Sequence, residues 1–201
     1  PKRKTKASIA IEKGLEPLAT ILFAQQDVNA NEEAAKYITD QVKDNEEALQ
    51  GARDIMAEWI AENETARNAV RKIFTESAIF SSRVLTTKKG EEDAQKYRDY
   101  FEFKEPLANC PSHRIMAIRR GEKEGFLIMD INIEKESSID ELKRKFITVH
   151  NEASQQVGLA IEDSFSRLLK PSIETEFRIL SKTKAVEEAI KVCAENLRQL
   201  L

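Results

Sequence analysis

Residues 46–63, EEALQGARDIMAEWIAEN, decide the class of this fold. Ala48, Leu49, Ala52, Ile55, Met56, Trp59 and Ile60 recur at spacings of three and four, which predicts an amphipathic helix of four or more turns over 45–62, with Asn45 placed to cap it. After the short link ENE, Ala66, Ala69, Val70, Ile73 and Phe74 repeat the pattern and predict a second helix over about 64–77, in a hairpin with the first. Upstream, Thr5–Lys13 reads as a short helix ended by Gly14, a residue suited to a left-handed position. Pro17 then falls where a first helical turn tolerates it, with Leu15, Leu18, Ile21 and Leu22 as the apolar face. Asn31 is read as the cap of a helix through Ala34, Ala35 and Ile38.

The pattern changes at Ala78. IFSSRVLTT (79–87) and FLIMDINIE (126–134) are rich in β-branched and aromatic residues, and in the second Leu127, Met129, Ile131 and Ile133 alternate with a mixed set. The expectation is one antiparallel pair, about 78–87 with 125–134, inside an otherwise helical chain. The intervening KKGEEDAQKYRDYFEFKEPLANCPSHR reads as a turn, a short helix through Ala94 and Tyr97, and an aromatic-rich connection. Ser112 is placed to cap a helix that Gly121 would end; a hairpin across RRGEKEGF is the alternative. Beyond it, 138–147, 152–169 and the stretch after Pro171 are helical, the last carrying Ile173, Phe177, Leu180, Val186, Ala189, Ile190, Cys193, Leu197 and Leu200. The fold class is therefore mostly α, with orthogonal or hairpin packing of helices, two sub-lobes (1–77 helical; 78–201 mixed, then helical) and a small two-stranded element.

Composition narrows the function classes. Of 201 residues, 41% are hydrophobic and 33% charged, which describes a globular chain with a heavily charged surface. No apolar run approaches the roughly 20 residues of a spanning helix, and no apolar segment follows the basic start, so neither membrane nor secretory signal is expected. The chain starts at Pro1 and stops within a helical pattern, as a piece of a longer protein would. Cys110 and Cys193, 83 positions apart, suit reduced thiols better than a disulfide framework.

Catalytic and cofactor signatures are absent. GEKEG lacks the Lys-Ser/Thr of a phosphate loop, His113 and His150 share no metal-ligand spacing, and Ser112-His113 lies outside any GxSxG elbow. Carboxylate pairs such as Glu46/Glu47 and Glu187/Glu188 sit among lysines at helical spacing and read as solvated surface. The expectation is no enzyme, no catalytic residue, no metal and no cofactor.

The basic features remain. Net charge is −3, yet residues 1–6, PKRKTK, hold four positive charges and no negative one, while the rest of the chain holds 28 positive against 35 negative. Lys2, Arg3, Lys4 and Lys6, with Arg119 and Arg120, are the candidate nucleic-acid-binding residues, because each exposed cation can meet a phosphate and release counterions. The competing view of Arg119 and Arg120 is a favourable charge at a helix C-terminus. Lys88 and Lys89 form a further basic turn. Tyr97, Tyr100, Phe101 and Phe103 could stack bases or, more ordinarily, fill a core.

Five phrases in this order, TKASIAIEKGLEPLA (5–19), EEALQGARDIMAEWIAEN (46–63), KYRDYF (96–101), PSHRIMAIRRGEKEG (111–125) and LKPSIETEFR (169–178), resemble the Tex family of bacterial transcription accessory proteins, in the central helical region ahead of its RNase-H-like domain. The resemblance covers almost the whole chain. It implies a cytoplasmic, multidomain, RNA- or DNA-binding parent that influences transcription, whose main nucleic-acid-binding domains lie outside these residues. On that basis the region is expected to be a structural connector between flanking domains, with non-specific phosphate contacts from its basic start. The alternative is a protein-interaction scaffold docking on the transcription machinery.

Overall fold

A computed structural model describes residues 2–200. The Val186, Ala189 and Leu200 side chains, named above in the last helical stretch, lie outside what it describes. The described residues form nine α-helices and one three-stranded sheet, partitioned into two compact units. The first runs up to Val70 and takes in Lys135–Pro171; the second comprises Arg71–Glu134 and the chain from Ser172.

The first unit is organised around α4 (Asn45–Glu62), the 46–63 stretch. Its apolar stripe is buried, with Ala48, Ala52, Ile55, Met56 and Ile60 all at 0% exposure. α1 (Lys6–Glu12), α2 (Glu16–Phe23), α3 (Ala30–Ala35) and α8 (Glu152–Ser164) pack on it. Small residues at 48, 51 and 52 bring the neighbours close: a Cβ on Gly51 would collide with the Leu15 side chain. On another side of α4, Arg53 donates to Gln156 at 2.6 Å, and the buried Ser164 hydroxyl donates to the Ala57 carbonyl at 2.7 Å. Trp59 meets Phe23 edge to face at 5.6 Å.

Local signals explain several helix ends. Thr5 caps α1 through a reciprocal pair with Ser8, and Gly14 adopts φ +82° after it, as expected of a left-handed stop. Two caps lie one or two residues ahead of the sequence reading: Asp44, not Asn45, caps α4, and Asn29, not Asn31, caps α3. In each case the extended residue whose side chain reaches the third amide of the helix wins. Gln25 is left-handed without being glycine, at φ +55°. Its amide donates to the Phe146 carbonyl at 2.7 Å and accepts from Thr148 N–H at 3.0 Å, while Asn151 donates to its carbonyl at 2.9 Å. These bonds join the end of α2 to the link between α7 (Lys135–Phe146) and α8.

Pro171 sits in the first turn of the last helix, where proline is tolerated. Ahead of it, Phe165–Leu169 widens into a π turn in which the Lys170 N–H bonds the Phe165 carbonyl. Proline at 171 has no N–H and would crowd the carbonyl four residues back, so a local change of bonding register accommodates the ring. α9 (Lys170–Leu200) begins at once.

In the second unit β1 (Ile79–Val84) pairs antiparallel with β3 (Leu127–Asn132), Phe80 opposite Ile131, within the two stretches expected to pair. The expectation missed a third strand, β2 (Glu102–Pro106), on the far side of β1, with Ser82 opposite Phe103. Five residues with a single large apolar side chain, closed by proline, suit an edge strand and read as a connection. Phe80, Leu127, Met129 and Ile131 make the buried face. α6 (Ser112–Lys123) covers β3, which resolves the helix-or-hairpin alternative in favour of the helix. Neither proposed end is right. Pro111 precedes the helix as its cap residue, so Ser112 is already inside, and Gly125, at φ +83°, follows the end that Gly121 was expected to make. Gly121 lies within α6 for another reason: a Cβ there would stand 2.5 Å from Leu127 Cδ1 and 3.2 Å from Tyr97 Cδ1.

Candidate nucleic-acid interface

From Ser172 on, the LKPSIETEFR phrase spends its charges inside the second unit. Glu176 takes Arg71 in a two-pronged pair at 2.8 and 2.9 Å, and Phe177 stacks on the buried Phe74 at 5.2 Å. Arg178 donates to the Met129 carbonyl at 2.6 Å and lies within 3.5 Å of both Glu122 and Glu174. Glu122 in turn accepts from Met129 N–H at 3.3 Å. Met129 is on the outer edge of β3, where its N–H and C=O face away from β1. Glu122 and Arg178 therefore clasp a strand edge that would otherwise offer unpaired backbone groups.

Tyr97 of the aromatic run is likewise structural. Tyr97 is 4% exposed, its hydroxyl donates to Glu124 at 2.7 Å, and burial together with that carboxylate pushes its pKa up to about 12. Glu124 is held below the usual carboxylate range, first by Lys96 at 2.7 Å and then by the Tyr97 hydroxyl. Tyr100 and Phe103 meet edge to face at 5.6 Å, and Phe103 meets Phe80 at 6.4 Å. Tyr97 is buried, whereas Tyr100, Phe101 and Phe103 are half-buried, with Phe103 in edge contact with both Tyr100 and Phe80.

Cys110 is half-buried, and burial plus Glu105 push its thiol up to about 11, which disfavours the nucleophilic thiolate; Cys193 is exposed on α9. His113 and His150 are both exposed and belong to different units. Among the described residues no group of three or more His, Cys, Asp or Glu could hold a metal ion. No described helix is long and apolar enough to cross a membrane.

The candidate cations fall into two places. Lys2, Arg3, Lys4 and Lys6 are exposed at the start of the first unit; Lys6 opens α1, and Lys4 pairs with Glu12 at 3.1 Å. Arg119 and Arg120 lie on α6 in the second unit, and they differ in kind. Arg119 is half-buried, donating to the Arg178 carbonyl at 3.2 Å, whereas Arg120 is exposed. Both line an open groove of about 1060 Å³ together with His113, Lys123 and Lys182. Lys182 comes from α9, and only the folded chain brings it beside Arg119 and Arg120. The basic turn is partly neutralised, Lys88 pairing with Glu91 at 2.9 Å.

The first unit is a small helical body built on the 46–63 helix, and the second is a helix-covered three-stranded sheet clasped through Glu122 and Arg178. Residues 25–193 match the family model described as Tex central region-like, and the chain belongs to that family. It is 38% identical over its whole length to an uncharacterized protein, YdcI, of Bacillus subtilis, and 36% identical to protein YhgF of Escherichia coli. It is 32% identical, again over its whole length, to the transcriptional accessory protein Tex of Neisseria gonorrhoeae. These alignments span 28%, 27% and 27% of the respective relatives.

Proposed function

We propose that this chain is the connecting, non-catalytic region of a cytoplasmic Tex-like transcription accessory protein that binds RNA or DNA, and that its exposed basic start adds sequence-independent phosphate contacts. One observation carries the connector reading: the phrases that bear the family likeness are spent on internal packing. Gly51 admits Leu15, Tyr97 holds Glu124, Arg71 holds Glu176, and Arg178 clasps β3. Residues invested this way stiffen each unit and converge on no reaction centre. The name borne by the gonococcal relative supports the transcription setting.

Anisotropy of labelled single-stranded RNA and duplex DNA, titrated at several salt concentrations, tests the phosphate contacts. Affinity should fall linearly on a log–log salt plot, and replacing Lys2, Arg3, Lys4 and Lys6 by alanine should flatten the slope. An unchanged slope in that variant overturns the role of the basic start. A second reading, a scaffold that docks on the transcription machinery through protein surfaces, draws on α9, where Ile179, Leu180, Ile190, Val192 and Leu197 are each more than half exposed. It predicts no nucleic-acid binding by this chain even at low salt.

A further inference from the structure

We infer that the groove between α6 and α9 is a second phosphate-contacting site in this chain, shaped for the backbone of a single-stranded nucleic acid, with Arg120, Lys123 and Lys182 as its contacting residues. The inference rests on the nucleic-acid reading above and assigns it a place that the basic start does not supply.

Charge accounting within the groove is the first argument. Its lining holds four full cations, Arg119, Arg120, Lys123 and Lys182, and two carboxylates, Glu122 and Glu124. Both carboxylates are already committed. Glu122 accepts from Met129 N–H and faces Arg178, and Glu124 is bound by Lys96 and the Tyr97 hydroxyl. Neither Arg178, Lys96 nor Tyr97 belongs to this lining. Arg119 is pinned by neutral acceptors, the Arg178 carbonyl at 3.2 Å and the Met129 sulfur at 4.0 Å, so its position is fixed while its charge stays uncompensated. Arg120, Lys123 and Lys182 are exposed, and none of the three makes an ion pair within 4 Å among the described residues, although Arg120 lies close enough to Glu124 to help hold its carboxyl below the usual range. The groove is therefore net positive although the chain is net negative.

Shape is the second argument. The lining on α6 runs from His113 to Glu124, about 16 Å at the helical rise. Its remaining members are apolar, Met116, Ala117 and the buried Ala185. A cationic groove of this length can track the phosphates of a flexible single strand, with Met116, Ala117 and Ala185 as apolar contacts and His113 as the one ring in its lining. A smaller hollow of about 510 Å³ shares Arg119 and Lys182 and continues along α9, where Glu187 marks an acidic end.

The test uses the whole chain and a fluorescent 12-nucleotide oligouridine carrying 4-thiouridine. Reversing two exposed cations, Lys123→Glu with Lys182→Glu, should weaken binding at least about tenfold at low salt and reduce the log–log slope by about 1.4, at roughly 0.7 per lost contact on a single strand. Photocrosslinks should fall on peptides covering 112–124 and 178–185, and a thermal melt should match wild type, since both lysines are exposed. Wild-type-like affinity in the double variant, with loss on mutating Lys2, Arg3, Lys4 and Lys6, overturns the groove while leaving the proposed function standing. No binding by the wild-type chain at low salt removes the groove together with the phosphate contacts proposed for the basic start. Equal weakening for a duplex of the same length overturns the single-strand assignment, and competition by polyglutamate as effective as by unlabelled RNA overturns it in favour of an acidic peptide.

Discussion

Gly121→Ala separates two reasons for a glycine near the end of a helix. If Gly121 served as a helix stop or simply sat in an open helical turn, alanine would be neutral or would stabilise by up to about 1 kcal/mol through helix propensity. The structure predicts the opposite sign. A Cβ at 121 stands 2.5 Å from Leu127 Cδ1, 2.8 Å from Leu127 Cγ and 3.2 Å from Tyr97 Cδ1. Leu127 Cγ is not the free end of a side chain, and Leu127 is 2% exposed, so a rotamer change has nowhere to go. Tyr97 is held from its far end by Glu124. Either α6 lifts from β3 or β3 shifts. Overpacking of this kind costs about 1–3 kcal/mol, which offsets or exceeds the propensity gain and leaves a net loss of up to about 2 kcal/mol. In a domain of this size that lowers the melting temperature by up to roughly 8 °C. Urea unfolding followed by circular dichroism should show a lower midpoint at unchanged slope. Leu127→Ala alone should cost about 2–5 kcal/mol as a cavity, and the double substitution should cost less than the sum, because each change relieves the other. A Gly121→Ala midpoint at or above wild type, or strict additivity with Leu127→Ala, refutes the close-approach argument.

Three further outcomes follow from the same geometry. Tyr97 keeps its proton to about pH 12, above the ordinary value of 10, so the unfolded state loses that proton first and stability falls as pH rises from 10 to 12. Tyr97→Phe should remove both that loss and the latest step of an absorbance titration at 295 nm. Arg178→Met should leave the Met129 carbonyl and Glu122 without their partner, destabilising by about 1–3 kcal/mol and promoting edge-to-edge association visible by light scattering; a monodisperse, equally stable variant would contradict the clasp. Gln25→Ala should be less stable than Gln25→Gly by about 1 kcal/mol in thermal melts, since both lose the amide bonds to Phe146 and Thr148 but only alanine keeps the cost of φ +55°.

Particular elements show where reading by pattern succeeds. The 46–63 helix was legible because seven apolar positions repeat at its own period, and β3 because its alternation matches a half-buried strand. Gly14 was legible as a left-handed stop because that role depends on the residue and its immediate neighbours. Gly121 was not, because its role is set by Leu127 and Tyr97, which reach it only through packing. β2 was missed for a related reason: its strand character comes from the partner β1 and not from its own five residues. The family phrases were legible as a resemblance, yet their physical use was hidden until Arg178 was seen on Met129 and Glu176 on Arg71.

By itself the sequence determined the mostly helical class, the two main strands, the lack of catalytic signatures and the membership in a family, because each rests on local periodicity or on the order of residues along the chain. Tertiary structure alone decided the third strand, the clasp on the β3 edge, the burial of Tyr97 and the cationic groove. Lys182 is 62 positions from Arg120, and the carboxylates beside them pair with Lys96 and Arg178, the Tyr97 hydroxyl donating to Glu124 as well. Which charges remain uncompensated depends on distances between side chains remote in sequence, and those distances exist only once the chain has folded.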